Sequence, residues 1–296
     1  MSASDVTILD GGMGRELLRI GAPFRQPEWS ALALLEGPSW VVQAHRNFVE
    51  AGAQVITTNS YAVVPYHLGD ERFAAHGHDL AALAGRLARE AVEGTEARVA
   101  GSLPPLFGSY RPDRFDAATA PSIVDPLVDA LAPSVDVWLG ETMSSIAEVL
   151  AVRAALDRAG DRRELWISYT LDDHRPGVLR SGEAVVEAVA AALDVGATTV
   201  LFNCCQAETI TASLDAAVRR VDGRAQVGAY ANRFVDSHTD DGEANEQLAG
   251  LRADLDPAAY GEFVSRWLDA GLTVVGGCCG MEPAHVAALA DVVARR

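Results

Sequence analysis

Val274-Val275-Gly276-Gly277-Cys278-Cys279-Gly280 reads as an apolar strand running into glycines that hold two adjacent thiols. Neighbouring side chains of an ideal strand point to opposite faces, so two adjacent thiols share a target only where the backbone leaves strand geometry. Glycine reaches φ/ψ regions closed to other residues, and Gly276, Gly277 and Gly280 are expected to supply that freedom. The other cysteines, Cys204 and Cys205, are also adjacent and follow a second apolar run, Thr199-Val200-Leu201-Phe202-Asn203. All four thiols of the chain thus lie at the ends of two expected strands, and the fold has to bring those ends together.

Outward from these two runs the chain repeats one pattern. Further apolar runs lie at 6–9, 55–58, 99–102, 135–139, 165–169 and 226–230. Helical spacing follows them: Val41, Ala44, His45, Phe48 and Val49 after a Ser39 cap, then about 79–93, 122–131, 146–159, 183–193, 208–221, 257–270 and 283–296. Eight strands, each followed by a helix, with no composition break, predict an α/β chain forming a single (β/α)8 TIM barrel over residues 1–296. A doubly wound open sheet is the alternative. It is disfavoured because Gly11-Gly12-Met13-Gly14 lacks the spacing of a dinucleotide-binding turn. The long connections, 13–38, 59–78, 103–121 and 232–256, all follow strands, whereas the reverse turns at 94–98 and 196–197 are short. A barrel builds its active site from the loops after its strands. Loop length and cysteine position therefore nominate the same, C-terminal face.

Composition narrows the function. Of 296 residues, 49% are hydrophobic, enough for a large core. The formal charge of −17 argues against binding nucleic acid or an anionic membrane surface, both of which want basic patches. No basic segment followed by an apolar one opens the chain, and no apolar run is long enough to span a bilayer. A cytoplasmic, reducing location is the expectation, and there clustered cysteines point to metal or catalysis before disulfides.

In a closed barrel, strand eight lies beside strand one and two places from strand six, so Cys204, Cys278 and Cys279 can meet at the mouth. Three thiolates suit Zn²⁺ and leave a fourth position open. Cys205 should face away from Cys204 if the strand continues through that position, and reads as a packed thiol or one just behind the ligands. The competing readings are ordinary buried core cysteines and a vicinal disulfide switch; the second leaves Cys204 without a role. A centre of three thiolates acidifies a bound water poorly, but it can hold a fourth sulfur as a nucleophilic thiolate. That favours alkyl transfer to a thiol over hydrolysis.

Leu9-Asp10-Gly11-Gly12-Met13-Gly14, Ala51-Gly52-Ala53 with Thr57-Thr58-Asn59-Ser60-Tyr61, Glu141-Thr142-Met143, Asn203-Cys204 and Gly276-Gly277-Cys278-Cys279-Gly280 together resemble the homocysteine S-methyltransferase family, in order from residue 9 to residue 285. The resemblance implies a zinc-dependent barrel that methylates homocysteine to methionine. It implies Cys204, Cys278 and Cys279 as zinc ligands and as the catalytic centre. Asp10 and Glu141 become the acidic groups that bind the amino acid, with Gly11, Thr58 and Asn203 beside them in the substrate pocket. Taken without the resemblance, Asp10 fits a turn and Glu141 a helix cap equally well.

Three departures from the family pattern, Leu201, Gln206-Ala207 and the 101–110 stretch, are expected to line the approach of the methyl donor. Cobalamin-dependent relatives carry the methyl group on a corrinoid held by extra domains. A barrel using nearly all 296 residues leaves no room for these, so a small donor is expected. A sulfonium fits best, because a neutral thioether departs readily. The order expected is S-methylmethionine, S-adenosylmethionine, then betaine, whose quaternary ammonium wants an aromatic cage and finds only scattered Trp29, Tyr61 and Tyr110. The rival readings are a zinc methyltransferase using betaine or another thiol acceptor, and a non-catalytic zinc or thiol-redox protein. The seven histidines show no ligand spacing and read as surface or structural. Asp236, Asp240, Asp241, Glu243 and Glu246 read as a solvated acidic loop suited to a lid. The partners expected are homocysteine and a small methyl donor; a homo-oligomer is compatible with the sequence.

Overall fold

A computed structural model describes residues 6–25, 27–235 and 250–296. The eight expected strands are present as β1 (Thr7–Ile8), β2 (Val55–Thr57), β3 (Arg98–Leu103), β4 (Val137–Met143), β5 (Leu165–Tyr169), β6 (Thr199–Asn203), β7 (Gln226–Tyr230) and β8 (Val274–Val275). They form one sheet in the order β1-β8-β7-β6-β5-β4-β3-β2, with every ladder parallel. The circle closes between the first two strands through a parallel Leu9–Val55 bridge. Two backbone bonds hold that seam: Gln54 N–H to Ile8 O at 2.8 Å and Asp10 N–H to Val55 O at 3.1 Å. This is the (β/α)8 barrel, not the open sheet.

The helices outside it are α1 (Met13–Ile20), α2 (Ala31–Glu36), α3 (Pro38–Glu50), α4 (Pro65–Leu68), α5 (Asp70–Ala91), α6 (Ala120–Leu131), α7 (Ile146–Arg158), α8 (Val185–Asp194), α9 (Ala207–Val221), α10 (Pro257–Asp269) and α11 (Pro283–Ala294). None of the described helices is long and apolar enough to cross a membrane.

Two connections read as loops are partly helical. The stretch after β1 contains α1 and α2, and most of 59–78 is α4 and the start of α5. Helix α5 begins nine residues before the expected 79, with Asp70 and Glu71 in its first turn, where the positive end of the helix dipole favours them. Its early apolar anchor is Phe73, seven residues before Leu80 on the same face, a spacing that the intervening histidines and Gly77 obscure. Helix α3 starts at Pro38, with no side-chain cap bond, so Ser39 is inside the helix and not its cap.

Within the barrel, side chains alternate. Leu9, Val55, Ala100, Val137, Leu139, Trp166, Leu201, Tyr230 and Val274 form one buried cluster, separate from the larger one between strands and helices. Leu201, expected near the donor's path, belongs to this inner cluster, one inward position below Asn203. Its bulk is matched by Gly228 on the neighbouring strand, where a Cβ would stand 2.3 Å from Val274 O and 2.6 Å from Leu201 Cδ2.

One consequence is testable. Gly228→Ala puts a methyl against a backbone oxygen that cannot step aside, which should destabilise the protein by about 1–3 kcal/mol. Urea unfolding should show a lower midpoint with an unchanged slope; a wild-type midpoint would contradict this account of the β7–β8 seam.

Candidate metal centre and substrate pocket

Above the apolar plug the inward positions turn polar: Ser102, Glu141, Ser168 and Asn203, all buried. Parity places them two residues beyond Ala100, Leu139, Trp166 and Leu201, at the C-terminal mouth. β4 runs to Met143, so Glu141 is a strand residue. The cap of α7 is instead Ser145, in a reciprocal capping box with Glu148, which removes the capping role from Glu141.

The cysteines arrive from two strand ends. β6 stops at Asn203, and Cys204 takes the left-handed conformation, φ 53°. Left-handed backbone is uncommon for a residue with a side chain and costs about 1–3 kcal/mol, so the surroundings must impose it. β8 stops at Val275, and the Gly-Gly segment carries Cys278 and Cys279 into a turn closed by Met281 N–H to Cys278 O at 3.0 Å. Only Gly280 of these glycines has positive φ, at 82°. Gly276 and Gly277 serve a different purpose from the expected one: a Cβ would lie 2.5 Å from Leu9 Cβ at the first and 2.4 Å from Met281 Cβ at the second. They allow close approach, and Gly277 N–H then reaches Asp10 O at 2.9 Å. The buried Tyr260 hydroxyl donates to Gly276 O at 2.6 Å and accepts from Ala231 N–H at 3.0 Å, pinning the turn to the end of β7.

The three sulfurs Cys204, Cys278 and Cys279 all lie within 4.8 Å of one another, the only such donor cluster among the described residues. Cys204 and Cys279 are 3.7 Å apart, Sγ to Sγ. Thiolates on a tetrahedral ion with bonds of about 2.3 Å stand about 3.8 Å apart, so the cluster fits one such ion with little adjustment. The electrostatics agree. Hydrogen bonds from Cys278 and Cys279, then from the Tyr110 hydroxyl, hold Cys204 well below the usual thiol range. That same thiolate pushes Cys278 and Cys279 well above it. Ionisation of Cys204 thus disfavours ionisation of the other two sulfurs, and a dication would offset that repulsion. Cys205 is fully buried in the outer core and pushed up by burial, a packed thiol as expected.

Beside the sulfurs lie two buried carboxylates. Asp10 accepts Thr57 N–H at 2.8 Å and the Thr57 hydroxyl at 3.1 Å. Glu141 accepts the Ser102 hydroxyl at 2.6 Å, and the Tyr230 hydroxyl lies 3.5 Å away. Burial, with the charge of Glu141 adding, pushes Asp10 up to about 8; burial, with Cys204 adding, pushes Glu141 up to about 7. Neither forms an ion pair among the described residues. Two such groups next to a thiolate make a pocket short of positive charge.

The other expected substrate residues are close by. Gly11 has no room for a side chain, since a Cβ would stand 2.5 Å from Met281 O. The Thr58 hydroxyl shares a 2.9 Å bond with Ser60 and accepts Ser102 N–H at 3.0 Å, tying β2 to β3. Asn203 accepts the Ser168 hydroxyl at 2.7 Å and donates to Thr142 Oγ1 at 2.8 Å and to Cys278 Sγ at 3.8 Å.

Of the aromatics, the Tyr61 hydroxyl bonds to Ser109 at 2.8 Å, and Trp29 packs edge-on against Phe24 and His67. Tyr110 is closer to the chemistry than its sequence position suggested, donating to Cys204 Sγ at 3.0 Å. Sequence reading also missed Thr57, Ser102 and Ser168. A lone hydroxyl residue at an inward position of an apolar strand was the available signal for the two serines. His45, His67 and His285 are buried away from the sulfurs, in keeping with structural roles. The acidic positions 236–246 lie outside the described residues.

The sequence profile of the homocysteine S-methyltransferase family matches residues 7–293. The chain belongs to the homocysteine S-methyltransferase family. It is 30% identical to "Homocysteine S-methyltransferase" of Escherichia coli strain K12, over 98% of this chain and 96% of that one. It is 26% identical to "Betaine--homocysteine S-methyltransferase 1" of Danio rerio, covering 98% of this chain and 74% of the relative. The metallated form of the homocysteine methyltransferase MmuM from Escherichia coli superposes with a TM-score of 0.77 at 27% identity, over 97% and 96% of the two chains. Family membership and a cluster able to hold one metal ion thus agree.

Serine at Cys204, Cys278 or Cys279 should abolish stoichiometric metal binding, because each removes one of three thiolates from the same cluster. Cys205→Ser should retain it. Metal analysis of the purified, reduced variants checks both, and full metal content in any one of the first three would refute the three-sulfur site.

Proposed function

We propose that this protein transfers a methyl group from a small donor to the sulfur of homocysteine, giving methionine. The observation that carries the reading is the three-sulfur cluster at the barrel mouth, within 4.8 Å, beside two buried carboxylates without a cationic partner among the described residues. Cys204, Cys278 and Cys279 would hold zinc, which when bound supplies the charge that keeps a substrate sulfur as thiolate at neutral pH. No general base is then required of the chain. Asp10 and Glu141 suit the ammonium group of an amino acid: a cation between them favours both carboxylate forms and offsets the burial that now raises them. Asn203 orients Cys278, Ser102 fixes Glu141 and Thr57 fixes Asp10, so the pocket is held rigid before substrate arrives. Gly11 and Thr58 complete the wall on the β1 and β2 side. The same assignment makes the chain one barrel domain working in a reducing, cytoplasmic setting.

Methionine formation from homocysteine, followed with metal content, tests the reading. Activity should track zinc, at about one ion per chain as for a single tetrahedral thiolate site. Full activity in a metal-free preparation would refute the mechanism. Asp10→Asn and Glu141→Gln should keep metal and raise the KM for homocysteine by about tenfold or more, since each removes a charge that faces the ammonium. Unchanged KM in both would return these carboxylates to structural roles.

The donor is proposed from leaving-group chemistry. A sulfonium releases a neutral thioether when the adjacent methyl carbon is attacked, so S-methylmethionine ranks first, S-adenosylmethionine second and betaine third. Competition at equal concentrations measures this order directly. Turnover of betaine with both sulfonium donors inert would reverse it.

A further inference from the structure

Four residues close a circuit around Cys204. The Tyr110 hydroxyl, on the loop between β3 and α6, donates to Cys204 Sγ at 3.0 Å. The Arg180 guanidinium covers the Tyr110 ring, its carbon 4.2 Å from the centroid. Arg180 Nε donates to Thr170 Oγ1 at 3.1 Å, and the Thr170 hydroxyl donates to Cys204 O at 3.3 Å, which returns the circuit to its start. Arg180 is anchored from behind by Asp173 at 3.5 Å, both side chains nearly buried. Tyr110 and Cys204 both hold left-handed backbone, φ 64° and 53°, so each side of the contact is kept in a conformation that its own backbone disfavours.

Packing alone needs the ring and not the hydroxyl. A protein that handles an electrophilic methyl donor beside its own thiolates has a selectivity problem, because those sulfurs are nucleophiles of the same kind as the acceptor's. A thiolate that accepts a hydrogen bond holds its lone pairs more tightly and attacks carbon less readily. We propose that Tyr110, backed by Arg180, is a positioning residue that masks Cys204 Sγ, directing methyl transfer to the acceptor sulfur and away from the protein's own thiolate. The inference rests on the methyl-transfer reading above. The reaction held back would form an S–CH3 bond from the Cys204 lone pair and break the methyl–sulfur bond of a sulfonium. The electron pair of the broken bond stays on the departing thioether; no proton or redox partner takes part.

Tyr110→Phe keeps the ring under Arg180 and removes only the O–H. With homocysteine omitted, the wild-type protein and this variant are incubated with S-methylmethionine, and in parallel with iodomethane, which does not depend on the donor assignment. Peptide mass spectrometry then measures methylated Cys204. The variant should methylate about tenfold faster with iodomethane, as expected for loss of one charge-assisted hydrogen bond. In the cobalt-substituted proteins, the thiolate-to-cobalt absorption should move to lower energy in the variant, a change that loosened packing would not produce. Equal methylation rates together with superimposable cobalt spectra would overturn the proposal while leaving the metal site intact. Absence of thiolate–cobalt absorption in the wild-type protein would overturn both.

Discussion

The structure depends on bringing three sulfur atoms from two strands within reach of one ion. Cys204, at the end of β6, and Cys278 and Cys279, beyond β8, are separated by seventy-odd residues of chain yet lie within 4.8 Å. Nearly every unusual local feature at the mouth serves that convergence. Cys204 departs from strand geometry at once, Gly280 turns the chain, and Gly276 and Gly277 let the turn press against Leu9 and Met281. The turn is then locked to β1 through Gly277 N–H to Asp10 O, and to β7 through Tyr260. The seam that sets β8 beside β1 also sets Cys278 over the pocket.

The electrostatic consequence is a pocket that resists taking on negative charge. The Cys204 sulfur and the two buried acids each disfavour ionisation of the others, on top of the larger effect of burial, and among the described residues no ion pair relieves either acid. Burial of charge without compensation disfavours the charged form, which is the direction of the shifts at Asp10 and Glu141. On the proposed reading cations fill this site, and the chemistry of the groups divides the work. Soft sulfurs suit a metal ion, and hard carboxylates suit an ammonium group. On the proposed reading, the arrangement separates the end of the substrate that reacts from the end that is gripped.

Below the pocket the barrel is a plug, and this explains where the chain departs from its family. Leu201 fills the space beside Gly228 on the adjacent strand, so the departure at 201 lies in the apolar layer below the mouth. The 101–110 stretch is different, because it ends in Tyr110, whose hydroxyl reaches the sulfur cluster. Gln206 donates to Phe234 O at 2.8 Å, and so holds the segment after β7.

The amino-acid order carried the alternation of strands and helices, the parallel barrel, the loop-rich end of the barrel and the three sulfurs. These were legible because period-2 and period-3.6 patterns and adjacent cysteines at strand ends are local signals. Cys205 packs as expected, although the parity argument for it assumed a strand that in fact ends at Asn203. Helix α5 was half hidden, since Gly77 and the histidines interrupt its stripe and the burial of Phe73 depends on neighbouring helices. The folded barrel was needed to see that Glu141 faces inward while Ser145 caps the helix, and that Thr57 bonds to Asp10 while Thr58 bonds to Ser102. It alone placed Tyr110 on Cys204, across 94 residues of chain. The physical reason is the same in each case: hydrogen bonds and charge shifts at the mouth join side chains from different strands, and strand spacing and closure set those distances, which no local pattern encodes.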